Sequence, residues 1–495
     1  MRSTVSIAAG AGVSFGGYVV GQGVRFLFSL AVARLLGADA LGTYALAMAM
    51  IQIAEVAALF GLDSALLRFA GMHRADPQRR RRLIGFALKA GLVLSVLVML
   101  LLEMFSGALA ELLHGGRLLQ LAISCYAAAI PFNTAAMLYG HAMQACGRIQ
   151  PKIIATQVLS PVLLLLFTLL FNALLGRQAA LLLPVGLSAA AAFVWIRPRL
   201  RPITGLQPGD VGGAAVEQPV LSYALPFMLV SLFSMTSHWL DVVMLGMLTD
   251  PATVGLYHPA ARTAGLVRAV LPAFAGMAAP LFAELHAAGR MEELGRIYRL
   301  VTRWMVTVAL PPVLLLLCFP SEVLSVFGRH FSAAAPVLVL LSSASLVQAL
   351  FGIAATLLAM AGHARLSLLN ALFGLVLQAG LNLLLIPRMG IEGAALAGLV
   401  LFGALAAVRL FEVRRLLRLH PFSSPLLKPF AAGAGVLAVL LVLRPWLILL
   451  PLPVLLAAAA VAAVAVYGGL LLALGLEEEE REIILRAGSP FRPNR

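Results

Sequence analysis

Five polar side chains in the first apolar stretch, Ser14, Tyr18, Gln22, Arg25 and Ser29, are spaced by four, four, three and four residues. That spacing sets them along one face of an α-helix. A continuous polar stripe has no reason to face lipid, and an arginine inside an apolar run is costly unless it meets a cavity or a partner. A guanidinium keeps its charge and grips phosphate oxygens in pairs, so the chemistry this face offers is recognition of an anion. At about 1.5 Å per residue, Arg25 lies roughly 15 Å from the end of its helix. Gln52 reaches a similar depth on the returning helix, with Glu55 about one turn further on. Two readings stay open for Arg25: an ion pair with Glu55 that locks the two helices, or a cavity arginine that meets substrate beside Tyr18, Gln22 and Gln52.

A second polar set follows later in the chain. Ser234, His238 and Asp241 share a helical face, and His258 and Arg262 stand four apart on the next apolar stretch. Counting depth along both helices puts Arg262 level with His238 and Asp241 near His258. Asp241 with either histidine is a candidate proton or sodium relay, since histidine titrates near neutral pH. The alternative is a buried carboxylate balanced by Arg262. Arg268 falls on another face and is a weaker anion ligand. Asn370, Gly374, Gln378 and Asn382 are each four apart, a stripe suited to sugar hydroxyls or to interhelical hydrogen bonds.

Catalysis finds little support. Cys125, Cys146 and Cys318 lie in apolar runs without metal-ligand spacing and read as packing. The sequence holds no GxxxxGK[ST] phosphate loop and no plausible metal cluster, so no cofactor and no enzyme chemistry are expected. Coupling to H+, Na+ or the membrane potential is left open.

These side chains need elements that hold them in lipid. Of 495 residues, 61% are hydrophobic and 12% charged, with a mean hydropathy of +0.98. Soluble domains carry about twice that share of charge. At about 20 apolar residues per span, 14 spans take roughly 280–300 residues and leave only short connections, with no room for a separate catalytic domain. The expectation is an all-α polytopic membrane protein of about 14 transmembrane helices. The predicted spans are 10–36, 41–69, 83–105, 118–142, 153–171, 179–195, 221–248, 254–285, 298–319, 334–361, 368–386 and 391–411. The last apolar block, 429–476, is split in two at Arg444, Pro445 and Trp446. Pro131, Pro226, Pro272 and Pro311 fall within spans and permit bending. The N-terminal stretch reads as a retained first helix, being long and without a convincing cleavage site.

The net charge of +15 reports topology, not nucleic acid. With the N-terminus in the cytoplasm, the arginines at 79–82, Arg148 with Lys152, and Arg197, Arg199 and Arg201 all fall on that side. So do Arg290, Arg296, Arg299, Arg365, Arg414, Arg415, Arg418 and Lys428. Opposite loops hold about one arginine each, which is the positive-inside pattern. Both termini are then cytoplasmic, and the charged tail is a solvated end.

The chain also matches itself. "LLGADALGTYALAMA" aligns with "LTDPATVGLYHPAAR", bringing Gly42 and Tyr44 onto Gly255 and Tyr257, 213 residues apart. "MQACGRIQPK" aligns with "LAMAGHARLS", bringing Gly147 onto Gly362, 215 apart. Six predicted helices separate the copies, so they share orientation about an axis along the membrane normal, an arrangement of transporters. The predicted organisation is a six-helix lobe over 1–196, a cytoplasmic linker over 197–219 and a second six-helix lobe over 220–420. Two additional helices over 421–476 and a tail over 477–495 complete it.

"ARLLGADALGTYALAMAM", "FGLDSALLRFAG", "LDVVMLGMLTDPATVGLYHPAARTAGLV" and "NLLLIPRMGIEGAALAGLV" together resemble the polysaccharide exporter and O-antigen flippase family. That family belongs to the superfamily of the lipid II flippase and the multidrug and toxic compound extrusion (MATE) transporters. The resemblance covers roughly the first twelve helices. It implies two six-helix lobes that move an undecaprenyl-pyrophosphate-linked oligosaccharide by alternating access across the bacterial cytoplasmic membrane, for O-antigen, other lipopolysaccharide or exopolysaccharide synthesis. Partners implied are that lipid-linked glycan, membrane lipids and other polysaccharide-assembly proteins. The lipid II branch carries essential arginines on its first and eighth helices, which the resemblance transfers to Arg25 and Arg262. A lipid II flippase and a MATE-like cation-coupled drug antiporter are the alternatives. A cation site wants carboxylates, and the first helix has none, although Asp241 offers one. The last two helices lie outside the resemblance and either hold a lipid tail or pack toward lipid.

Overall fold

A chain this apolar must satisfy its backbone within each segment once it is in lipid, and helices do that. The computed structural model describes residues 2–73, 76–212 and 217–475, and their side chains except at 2–15, 208, 212 and 364. Ser14 of the first polar stripe lies outside the described side chains, and the tail over 477–495 outside the described residues. Among the described residues there are helices and no strands.

The helices are α1 (Arg2–Leu36), α2 (Ala38–Leu59), α3 (Leu62–Met72), α4 (Pro77–Leu112), α5 (Gly116–Ala127), α6 (Ile130–Ala145), α7 (Gln150–Ile153) and α8 (Ser160–Leu174). Next come α9 (Arg177–Leu182), α10 (Pro184–Thr204), α11 (Pro208–Gly212), α12 (Gln218–Leu248), α13 (Pro251–Arg268), α14 (Val270–Ala287) and α15 (Met291–Cys318). The chain ends with α16 (Pro320–Ser325), α17 (Ala335–Phe351), α18 (Ile353–Met360), α19 (Ala364–Met389), α20 (Ile391–Leu416), α21 (Leu427–Leu447) and α22 (Leu452–Ala473). Thirteen segments among the described residues are long and apolar enough to cross a membrane. The span predicted over 179–195 is not among the thirteen: it falls on α9 and α10, and α10 continues to Thr204 through Arg197, Arg199 and Arg201, which dilute its hydropathy.

Several predicted single spans are interrupted. The second is α2 and α3, parted where Phe60 and Gly61 both take left-handed backbone (φ 49° and 69°). Glycine is needed there twice over, because a Cβ on Gly61 would also stand 2.2 Å from the Ala224 carbonyl oxygen of α12. The fourth is α5 and α6, the eighth α13 and α14 with a break at Ala269, and the tenth α17 and α18 with a break at Gly352. Pro131 opens α6 and Pro272 sits one turn past Ala269, so two of the predicted bending prolines lie at real breaks. In the fifth, a π-helical turn over Ile154–Leu159 separates α7 from α8.

The chain forms two compact units. One comprises Met1–Arg262 with Ala371–Ala397, the other Thr263–Asn370 with Gly398–Arg495. The first has a core where Leu66, Ile84, Phe86, Met143, Ile196 and Leu200 meet. Its polar connection is docked, not slack: Arg79 pairs with Glu217 at 2.9 Å, Arg81 with Asp210 at 3.8 Å, and Gly85 admits the Asp210 backbone against α4. The second unit has one core around Phe282, Tyr298, Met305 and Leu357. In another, α21 and α22 pack on α15 through Leu310, Leu314, Val436, Leu440 and Leu455. Val442, Trp446, Leu449 and Val461 of this terminal pair are exposed, as a lipid-facing surface requires.

Candidate functional site

Arg25 is held by the π turn between α7 and α8. The π turn there widens the helix locally, a distortion frequent at functional sites. α1 meets it with two glycines: a Cβ on Gly17 would stand 2.3 Å from the Ile153 side chain, and one on Gly21 2.3 Å from the Gln157 carbonyl oxygen. One turn along α1, Arg25 donates from one terminal nitrogen to Gln157 Oε1 at 3.1 Å and from the other to the Thr156 carbonyl at 3.4 Å. Both partners are neutral, and among the described residues no carboxylate bonds this guanidinium. Glu55 instead accepts a hydrogen bond from Asn133 Nδ2 at 2.6 Å. The alternative of an Arg25–Glu55 lock is therefore not formed, because α6, restarting after its break, brings Asn133 to the carboxylate.

The second arginine meets the first helix. Arg262 donates to Gln22 Oε1 at 3.1 Å, one turn of α1 from Arg25. Packed against sequence neighbours of both arginines stands Tyr44, whose ring lies 4.8 Å from Phe28, 6.4 Å from the His258 ring and 6.2 Å from Tyr126. It is within electrostatic range of both arginines. Tyr18 is half-buried and within the field of Arg25. From the sequence, Tyr44 stands out only as a repeat position matched to Tyr257.

Asp241 occupies a separate polar knot in the same unit. Tyr257 Oη donates to Asp241 Oδ2 at 2.9 Å, Gln378 Nε2 donates to Oδ1, and Ser237 Oγ donates to Gln378 Oε1 at 3.2 Å. Depth counting from the sequence placed Asp241 beside residue 258, and its bond is to the neighbouring Tyr257. Asn382, one turn beyond Gln378, is 0% exposed, and neither polar atom of its amide has a hydrogen-bond partner. His238 packs edge-on against Trp239, which donates to Gln52 Oε1 at 3.2 Å. Gln52, Asp63, Ser234 and His238 line a cavity of about 520 Å³. Its volume falls in the range of small-ligand sites.

Arg25, Arg262, Gln22, Tyr18, Gln52, Glu55, His238, His258, Asp241, Gln378 and Asn382 thus belong to one unit. Arg268 and Asn370 belong to the other, where Asn370 donates to Glu412 Oε2 at 2.7 Å. The stripe predicted along α19 is divided accordingly: Asn370 serves an interhelical carboxylate, and Gln378 serves Asp241. Gln157, Asn133 and Trp239 also position the site. The sequence signals nothing for them beyond a polar residue in an apolar run. No cluster of three metal-ligating side chains occurs among the described residues.

Residues 7–286 match a family model described as polysaccharide biosynthesis protein. A protein of Haloferax volcanii named "Probable low-salt glycan biosynthesis flippase Agl15" is 25% identical over 160 residues, covering 32% of this chain and 34% of that one. The match therefore spans about a third of the relative's length. Among solved structures, the lipid II flippase MurJ in an inward closed conformation is similar with a TM-score of 0.74 at 11% identity, covering 96% of this chain and 100% of the other. An inward-facing MATE family transporter of the MOP superfamily gives 0.71 at 17% identity, covering 82% and 98%. At these identities the likeness is one of fold, and it agrees with the helical membrane architecture expected from the sequence.

Proposed function

The chain belongs to the polysaccharide biosynthesis protein family, and from that premise we propose that it flips a polyprenyl-pyrophosphate-linked oligosaccharide across the bacterial cytoplasmic membrane. The observation that carries this reading is Arg25, an arginine deep in an apolar helix whose hydrogen bonds go only to a neutral amide and a carbonyl. Charges kept within membrane helices mark substrate and ion pathways. Arg262 approaches the same face of α1 through Gln22, and two guanidiniums suit the two phosphates of a pyrophosphate. The charged headgroup meets the two arginines while the undecaprenyl tail stays in lipid. Two lobes, over 1–196 and 220–420, then rock about the site, which needs no covalent chemistry. Basic loops set both termini in the cytoplasm, so loading is from that side.

We propose that the cycle is coupled to H+, Na+ or the membrane potential. The Asp241 knot is our candidate for that coupling, with Gln378 on one carboxylate oxygen, Tyr257 on the other, and the unpartnered Asn382 amide nearby. An orphaned buried amide suits a proton relay through water or a sodium ion. Asp241→Asn keeps the shape and removes the charge, and is expected to abolish the dependence of flipping on the coupling ion.

The deciding experiment is cellular. Deletion of the gene is expected to trap lipid-linked glycan on the cytoplasmic face, with rescue by the wild type and none by Arg25→Ala or Arg262→Ala. Normal lipid-linked glycans together with raised sensitivity to cationic drugs would replace this reading with a MATE-like antiporter.

A further inference from the structure

Both arginines that the functional reading assigns to the pyrophosphate lie within electrostatic range of one uncharged side chain, Tyr44. The Tyr44 ring is wedged between Phe28, less than one turn after Arg25 on α1, and His258, one turn before Arg262 on α13. Tyr126 closes a third side at 6.2 Å, and its own hydroxyl is fixed by donation to the Leu181 carbonyl at 2.7 Å. The Tyr44 ring therefore has little freedom, and its polar end is directed by packing. Among the described residues no hydrogen bond engages the Tyr44 hydroxyl. Its repeat counterpart Tyr257 is occupied, donating to Asp241. A partly buried phenol ordinarily finds a partner.

We propose that Tyr44 is a third ligand of the transported anion, donating its phenolic proton to a phosphate oxygen held between Arg25 and Arg262. This rests on the pyrophosphate reading above and adds to it a neutral donor. The physical case is one of charge balance. A third cation at this point would repel the two arginines in a low-dielectric site. A hydroxyl adds a hydrogen bond to the anion without that cost. The phenolic hydrogen rotates about the C–O bond. With no anion present, the field of two cations favours the oxygen lone pairs turned toward them. An anion arriving between them reverses the local field and turns the O–H toward it. Selectivity follows: a zwitterionic or cationic headgroup gains nothing from this rotation.

The test uses the full-length protein in nanodiscs and farnesyl pyrophosphate as the probe, titrated calorimetrically. Tyr44→Phe keeps the ring, its three aromatic neighbours and its packing, and loses only the hydroxyl. Affinity is expected to fall about ten- to a hundredfold, the range for a hydrogen bond to a charged group, with an unchanged melting temperature. Tyr44→His, which keeps a donor near the same place, is expected to recover part of the loss. If Tyr44→Phe binds like the wild type while Arg25→Ala and Arg262→Ala lose binding, Tyr44 is a packing residue and the proposal is wrong, although the pyrophosphate reading stands. If neither arginine variant changes binding, both ideas fail together.

Discussion

Gly42 on α2 and Gly255 on α13 are packed backbone to backbone, and adding one methyl group there should force the helices apart. A Cβ on Gly42 would stand 1.7 Å from the Pro251 carbonyl oxygen, 2.6 Å from its carbon and 2.8 Å from the Gly255 nitrogen. The contact is reciprocal: a Cβ on Gly255 would stand 1.8 Å from the Ala38 carbonyl oxygen and 3.0 Å from the Gly42 nitrogen. Every obstructing atom is backbone, so no side chain can swing away. Ordinary contact begins near 3.4 Å, so the helices must separate locally by about 1.5 Å. Overpacking of this kind costs about 1–3 kcal/mol, or roughly a five- to 150-fold shift in the population of this packed arrangement. Gly42→Ala and Gly255→Ala should each lower the melting temperature in nanodiscs, followed by tryptophan fluorescence. The double variant should be less destabilised than the sum by about 1 kcal/mol, because helices already parted accommodate the second methyl. Gly23→Ala is the control, with open space around its Cβ position and a small gain from helix propensity. Wild-type melting of Gly42→Ala, or strict additivity in the double variant, would refute the close crossing.

Three further perturbations probe neighbouring features. Asn133→Leu strips the Glu55 carboxylate of its 2.6 Å donor and should destabilise by about 1–3 kcal/mol, while Asn133→Leu with Glu55→Leu should regain much of that in the same melt. Gln157→Leu removes one of the two acceptors that hold Arg25, so pyrophosphate affinity should fall by less than in Arg25→Ala; equal losses would contradict a positioning role. Asp76 caps α4 by accepting from the backbone N–H groups of Gln78 and Arg79 at 3.0 Å. Its carboxyl is held below the ordinary range, first by the Arg79 N–H and then, against some desolvation, by the Gln78 N–H and the charges of His73 and Arg79. A lowered value means the stabilisation is present above the ordinary carboxylate pKa and lost as pH falls through the lowered one. Asp76→Ala should therefore melt below wild type at pH 7, with the gap closing below about pH 4; a gap that persists in acid contradicts the cap.

Periodicity and hydropathy made the membrane class, most spans and the polar faces legible from the residues alone. Arg25 and Gln22 emerge from three- and four-residue spacing because a helix maps sequence separation onto a face and a depth. The same rule places Asp241 beside the turn that holds Tyr257 and His258. It fails wherever a helix departs from ideal geometry. The left-handed pair at Phe60 and Gly61, the π turn over Ile154–Leu159 and the breaks at Ala269 and Gly352 each depend on what packs alongside. Gly61 is required by the approach of the α12 backbone, a contact encoded more than 160 residues away. Which acceptor Arg25 finds, and that Asn133 and not Arg25 answers Glu55, were decided in the same way. Local spacing sets how far and in which direction a side chain projects. Only the packing of distant helices selects the atom it reaches, because hydrogen bonds are resolved at tenths of an ångström and helix registers are not written in any one segment.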